Sequence, residues 1–198
     1  MPRRKKRVLI LECIPKNEKF NEGVMLKHFL DMIFEHDRDR VQSYRVKNKA
    51  QLIQYIRNKK DLDKFDYVHF SAHGLPEYAE IELPQGQLAA WELKGFCFED
   101  KTITFSACST GRKGFATEVI NFTGAKSMVA PRNDVWFADS ALWFLNFYYL
   151  VLEKGYSPRT ACGRVNKMLK GKVKGGFKFY GWRDVPDLIE KLSEDESD

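Results

Sequence analysis

The sequence predicts an α/β protein built on a mainly parallel sheet, and three observations carry that expectation. Short apolar runs alternate with segments of helical periodicity along the chain, the pattern of repeated strand–helix units. Two of the runs, Tyr67-Val68-His69-Phe70-Ser71-Ala72-His73-Gly74 and Ile103-Thr104-Phe105-Ser106-Ala107-Cys108, stop abruptly at a reactive side chain. Open α/β sheets place their sites at such carboxyl-terminal strand ends. No internal repeat or low-complexity linker divides the 198 residues, so a single domain over 1–198 is expected, with a basic head at 1–7 and an acidic tail at 193–198.

Val8-Leu9-Ile10-Leu11, bounded by charge and by Pro15, reads as a buried first strand. Asn21 is placed to cap a helix with Met25, Leu26, Phe29, Leu30 and Ile33 inward, since these recur at helical spacing. Val41 to Val46 mixes polar and apolar residues and suits an edge strand. Asn48 caps a second helix that turns Leu52, Ile53 and Ile56 inward. The third strand ends at His73. The stretch after it, with Ile81-Glu82-Leu83, Pro84, Gly86 and Trp91, reads as a hairpin or loop excursion before the strand that ends at Cys108. Gly111 and Gly114 permit a turn into a helix over Phe115 to Phe122, closed by Gly124, and a fifth strand follows at Lys126 to Ala130. A long helix from Ala138 to Lys154 stops at Gly155. Another runs from Ser157 or Pro158 to Leu169, Phe177 to Gly181 is a sixth strand, and Asp187 to Leu192 a last helical turn.

Composition narrows the function classes. The chain is 43% hydrophobic and 30% charged, and no run reaches the roughly 18 apolar residues of a membrane span. The basic start leads straight into a strand rather than into the apolar region of an export signal. Cys13, Cys97, Cys108 and Cys162 lack C-x-x-C spacing, which fits reduced thiols in a cytoplasmic setting and offers no zinc site or other cofactor site. The net charge of +6 owes much to Arg3, Arg4, Lys5, Lys6 and Arg7. That head, or the cluster Lys167, Lys170, Lys172, Lys174 and Lys178, could meet nucleic acid, but such runs are usually solvated surface.

The chemistry concentrates at the two strand ends. If the strands are neighbours, about 4.8 Å apart, an imidazole and a thiol emerge side by side, the minimal kit for covalent catalysis. His73 would act as general acid and base and Cys108 as nucleophile. A helix beginning just behind Cys108 would favour the thiolate. Gly74 lets the chain turn sharply and bring its N–H beside that of Cys108, giving two donors for an oxyanion. No side chain stands out as the group that orients the imidazole. Taken singly, a His-Gly pair is commonly a turn and a Cys after Ala commonly packs; the pairing in successive strands is what points to catalysis.

These residues resemble the caspase-like cysteine peptidases, the group that includes caspases, gingipains, separase and legumain, and most nearly the bacterial CHAT branch. The likeness rests on His73-Gly74 after a strand and on Ser106-Ala107-Cys108-Ser109-Thr110-Gly111, which matches the S-A-C-x-T-G nucleophile motif. Downstream, Gly124-Ala125, Val129-Ala130, Phe147-Tyr148, Gly155, Ser157-Pro158 and Ala161 are similar too, so the resemblance spans about residues 65–166. It implies a three-layer sandwich with a six-stranded sheet in the order 2-1-3-4-5-6, a hairpin beside the substrate cleft, a protein substrate cut through an acyl-thioester, and no cofactor. It also implies an activating or regulatory partner in a bacterial defence or cell-death setting. The chain departs from the caspase Gln-Ala-Cys signature. It departs from the CHAT pattern after the fifth strand as well, where it reads Pro131-Arg132-Asn133-Asp134-Val135-Trp136-Phe137.

Glu12 and Asp134 are candidate substrate-binding acids, and Arg132 argues for the opposite charge preference. His69 shares a strand face with His73 by the two-residue period and reads as a core or supporting histidine. His28 and His36 read as exposed, Cys13 as packed, and Trp136, Trp143 and Phe144 to Tyr149 as core aromatics. The expectation is a cysteine endopeptidase; the alternatives are a catalytically silent caspase-like interaction module and a nucleic-acid binder.

Overall fold

A computed structural model describes residues 5–18, 21–35, 37–57, 59–75, 80–96 and 98–186. Its elements run in chain order as β1 (Val8–Glu12), α1 (Glu22–Ile33), β2 (Val41–Arg45), α2 (Lys49–Arg57), α3 (Lys59–Leu62), β3 (Tyr67–Ser71), β4 (His73–Leu75), β5 (Glu80–Leu83) and β6 (Gly86–Ala89). Then follow β7 (Thr102–Phe105), α4 (Lys113–Thr123), β8 (Ser127–Pro131), α5 (Phe137–Tyr148), α6 (Pro158–Met168) and β9 (Phe177–Gly181). Six strands form one sheet in the order β2-β1-β3-β7-β8-β9, which is the predicted 2-1-3-4-5-6 order for the main strands. All pairs are parallel except β8 with β9. The hairpin β5–β6, with β4 antiparallel to β5, forms a second, three-stranded sheet in the excursion between β3 and β7.

Strand alternation sorts the core into two layers. Leu9, Leu11, Val68, Phe70, Ile103 and Phe105 face α2, α3 and α4, where Leu52, Ile56, Leu62, Phe115 and Val119 cover them. Val8, Ile10, Tyr67 and Val129 face the opposite way, against Leu26 and Leu30 of α1, the aromatic stack of α5 and Val165 of α6. The result is a three-layer α/β sandwich.

Local signals explain most boundaries. The Asn21 side chain accepts from Val24 N–H at the start of α1, and Asn48 accepts from Gln51 N–H at the start of α2. The α4 helix ends on Gly124 at φ 66, the left-handed cap that glycine adopts without a Cβ penalty. The long helix after β8 is α5 continued through a π turn, Tyr149–Glu153, to Lys154. Three expectations shift. Met25 is 51% exposed rather than inward, Tyr149 is 38% exposed rather than core, and Trp136 is 73% exposed rather than core, because α5 starts one residue after it; His28 is exposed, as expected. The helical turn expected at 187–192 and His36 lie outside the described residues. No helix among the described residues is long and apolar enough to cross a membrane.

Candidate active site

Sheet register brings the two predicted strand ends together. In the parallel pair β3–β7, Tyr67 stands opposite Thr102 and Phe70 opposite Phe105, and Ser106 N–H continues the ladder onto Phe70 O at 3.0 Å. His73 is not the last residue of β3, as the sequence suggested. It opens β4, where the chain leaves the main sheet for the hairpin.

Gly74 is the point of contact. A Cβ built on it would lie 1.9 Å from Cys108 O and 2.8 Å from both Cys108 N and Cys108 C. Only a residue without a side chain lets β4 press this closely on the turn after β7. His73 and Cys108 are thereby held on adjoining backbone at one edge of the sheet.

The turn carrying Cys108 is splinted from the other side by the loop after β8. Cys108 Sγ donates to Val135 O at 3.5 Å and accepts from Val135 N–H at 3.4 Å. Ser109 N–H donates to Asn133 O at 3.3 Å, the Ser109 hydroxyl donates to Asp134 Oδ1 at 3.2 Å, and Gly111 N–H donates to Pro131 O at 2.7 Å. Ser109 itself sits at φ 60, a conformation that costs a non-glycine residue about 1–2 kcal/mol. These bonds hold it there. The α4 helix begins only at Lys113, one turn further on, so its positive end is not directly behind the sulfur as expected.

The imidazole has a partner that the sequence did not reveal. His73 Nε2 lies 2.8 and 2.9 Å from the two carboxylate oxygens of Glu18, in the loop between β1 and α1. The ring also packs edge-on against Phe137 with centroids 5.0 Å apart. A carboxylate on Nε2 fixes that nitrogen as the protonated one and leaves Nδ1 to exchange protons. Among the described residues no hydrogen bond joins His73 to Cys108 directly. The thiol is docked on Val135 and the imidazole on Glu18. Exposed Trp136 sits in sequence between Val135 and Phe137, which contact one each of the two groups.

The predicted substrate-binding residues part company. Asp134 is exposed and tied to the residue after Cys108, and Arg132, also exposed, lies on the same loop with its N–H donating to Gly176 O at 3.4 Å. Glu12 is half-buried at the end of β1, and its carboxylate accepts from Ser43 of β2 and from Asn21. That carboxylate is occupied away from the thiol.

Exposure separates the described cysteines. Burial pushes the Cys13 and Cys162 thiols up to about 12, which makes both inert packing groups, whereas Cys108 is only half-buried. Cys97 lies outside the described residues.

A polar ladder runs beneath the site on the α1/α5 face of the sheet. His69, fully buried, meets Glu22 Oε2 through Nε2 at 3.1 Å and Thr104 Oγ1 through Nδ1 at 2.8 Å, and the Thr104 hydroxyl in turn meets Tyr148 OH at 2.8 Å. Gly23 N–H donates to the Ser71 hydroxyl at 3.1 Å. The start of α1 is thus pinned to β3 two residues before His73. Burial alone would raise the Glu22 pKa. The charge and hydrogen bond of His69 outweigh it, with Ser106 and Ser71 adding less, and hold the carboxyl below its ordinary range. Glu22 Oε1 still lacks a hydrogen bond of regular geometry. Among the described residues no group of three or more His, Cys, Asp or Glu side chains is arranged to hold a metal ion.

No protein-family model matches the chain, and no curated protein matches it in sequence. Solved structures do match. One is the X-ray structure of a secreted C11 cysteine protease from Bacteroides thetaiotaomicron bound to an irreversible peptide inhibitor, with TM-score 0.65 over 94% of this chain and 68% of that one. The fold is caspase-like. At 10% identity the likeness establishes the caspase-like architecture alone. What the caspase-like sheet contributes here is position, since it sets the ends of β3 and β7 side by side at one edge.

Proposed function

We propose that the chain is a cysteine peptidase that cuts a protein substrate through a Cys108–His73 pair, with Glu18 orienting the imidazole. The single observation that carries this reading is the packing of Gly74 onto the Cys108 backbone, because it fixes the imidazole-bearing strand against the thiol-bearing turn.

In this mechanism the sulfur swings from Val135 toward the imidazole by rotation about the Cys108 Cα–Cβ bond. His73 Nδ1 takes the thiol proton, and the thiolate attacks the scissile carbonyl carbon. The N–H groups of Gly74 and Cys108 receive the oxyanion. His73 returns its proton to the departing amine, leaving an acyl-thioester on Cys108. A water molecule, deprotonated by His73, then attacks that ester; the acid product leaves and the thiol is restored.

The S-A-C-x-T-G residues at 106–111 favour the CHAT branch, and with it a cytoplasmic role in bacterial defence or cell death under control of a partner protein. The thiol resting on Val135 rather than on the imidazole suits an enzyme that waits for such a signal.

The test is an unbiased cleavage profile against a peptide library, run with the native chain, Cys108→Ala and His73→Ala. A defined set of products from the native chain alone supports the reading. Identical profiles from all three proteins, with the partner candidates added, would favour the silent interaction module.

A further inference from the structure

A cavity of about 220 Å³ opens beside Cys108 between the β4–β5 hairpin and the start of α4. Its walls include Leu75, Glu80, Cys108, Thr110, Arg112 and Phe115. Leu75 and Glu80 stand directly opposite each other in the antiparallel β4–β5 pair, so both side chains lie on one face of the hairpin. His73 and Glu82 form the other opposed pair on that same face. The leaving amine of a scissile bond must sit next to the general acid, so the His73 face of the hairpin is the leaving-group side.

The cavity has an apolar body and one uncommitted charge. Leu75 and Phe115 supply the apolar wall. The Thr110 hydroxyl is already spent on Ala107 O at 2.7 Å, and Arg112 has an interaction of its own. The Glu80 carboxylate, half-buried, meets no hydrogen bond or ion pair among the described residues, and neither does that of Glu82. An aliphatic stem against Leu75 and Phe115 with a cation at its end is the side chain that satisfies both features. We propose that this cavity binds a lysine or arginine side chain of the substrate residue just after the scissile bond, with Glu80 as the residue that selects it. The inference rests on the peptidase reading for the words "after the scissile bond"; the cation preference of the cavity stands on its own lining.

The experiment separates the two. Cys108 in the full chain is modified with aminoethyl methanethiosulfonate, which is cationic, and with the neutral methyl reagent, and the adduct is followed by mass spectrometry of the Cys108 peptide. The cationic reagent is expected to react about fivefold faster relative to the neutral one, the effect of one carboxylate near contact in a solvated site. Glu80→Gln is expected to erase that preference, and Glu80→Lys to reverse it. Glu153→Gln, which removes a carboxylate from the opposite edge of the sheet beside Arg40, is expected to leave it intact. A ratio unchanged in both Glu80 variants overturns the assignment of the cavity. Peptides carrying Lys or Ala after the cleaved bond are then compared: a Lys preference lost in Glu80→Gln supports the full proposal, and equal hydrolysis of the two overturns it while leaving the peptidase in place. A charge-dependent ratio without hydrolysis of any peptide overturns the peptidase reading and keeps the cation site.

Discussion

Gly74→Ala is the substitution on which the geometry bears most heavily. The added methyl would stand 1.9 Å from Cys108 O, and contacts under 3.0 Å between a Cβ and a neighbouring heavy atom essentially do not occur, so β4 and the Cys108 turn must part by about 1 Å. Neither side can give way cheaply. The atoms met are backbone, β4 is paired to β5, and the turn is pinned by Val135, Asn133 and Asp134. Overpacking of this kind costs about 1–3 kcal/mol, which for a chain of this size lowers Tm by roughly 2–12 °C. A shift of ~1 Å between reacting groups costs about 10²-fold in rate. The assay is the second-order rate of Cys108 labelling by a peptidyl electrophile, with thermal unfolding recorded on the same preparations. Labelling about 100-fold slower at a temperature where the variant is fully folded is the expected outcome. Native-like labelling together with a native-like Tm would refute the claim that Gly74 joins the two halves of the site.

Further outcomes follow from the same contacts. Glu18→Ala should lower peptide turnover about 10- to 100-fold with KM little changed, by freeing the imidazole to turn, while Glu18→Gln should recover part of it because an amide oxygen still accepts the Nε2 proton; an unaffected kcat in Glu18→Ala would remove Glu18 from the account. Glu22→Ala strands His69 in the core and should cost about 3–5 kcal/mol, or roughly 6–20 °C of Tm. Because the Glu22 carboxyl is held below its ordinary range in the folded state, its contribution is complete above the unfolded value of about 4.3 and is lost as pH falls through the folded value. The native chain should therefore lose stability more steeply than Glu22→Ala on acidification below about pH 4.3, read by denaturant midpoints, and parallel curves would contradict that. Gly124→Ala, at the left-handed cap of α4, should cost about 1–2 kcal/mol while leaving the Cys108 labelling rate unchanged.

The strand ends were legible because an apolar run that halts at a reactive side chain is a local signal, and parallel β3 and β7 needed only adjacency to make it a site. The antiparallel direction of β9 was not legible, since the local pattern Phe177–Gly181 is the same whichever way the strand enters the sheet. Nor was Glu18. It lies in a loop without periodicity, far from His73 in sequence, and the two meet only because β1 pairs with β3. Val135 likewise reaches Cys108 through backbone groups that every residue but proline possesses, so its side chain carries no message. Trp136 and Trp143 look alike within an aromatic-rich stretch. The start of α5 at Phe137 decides that one lies outside on the rim and the other is buried against Phe177. The polar ladder was half visible. His69 follows the two-residue period from His73, but Glu22 as its partner depends on how α1 packs over the sheet.

If His73 and Cys108 work as one unit, a peptidyl electrophile must alkylate Cys108 at very different rates in the native chain and in His73→Ala. Rapid, saturable modification is expected of the native chain, with a drop of at least about 100-fold in His73→Ala, to the pace of an ordinary half-buried thiol. Equal rates in the two proteins would mean that the imidazole does not serve the thiol.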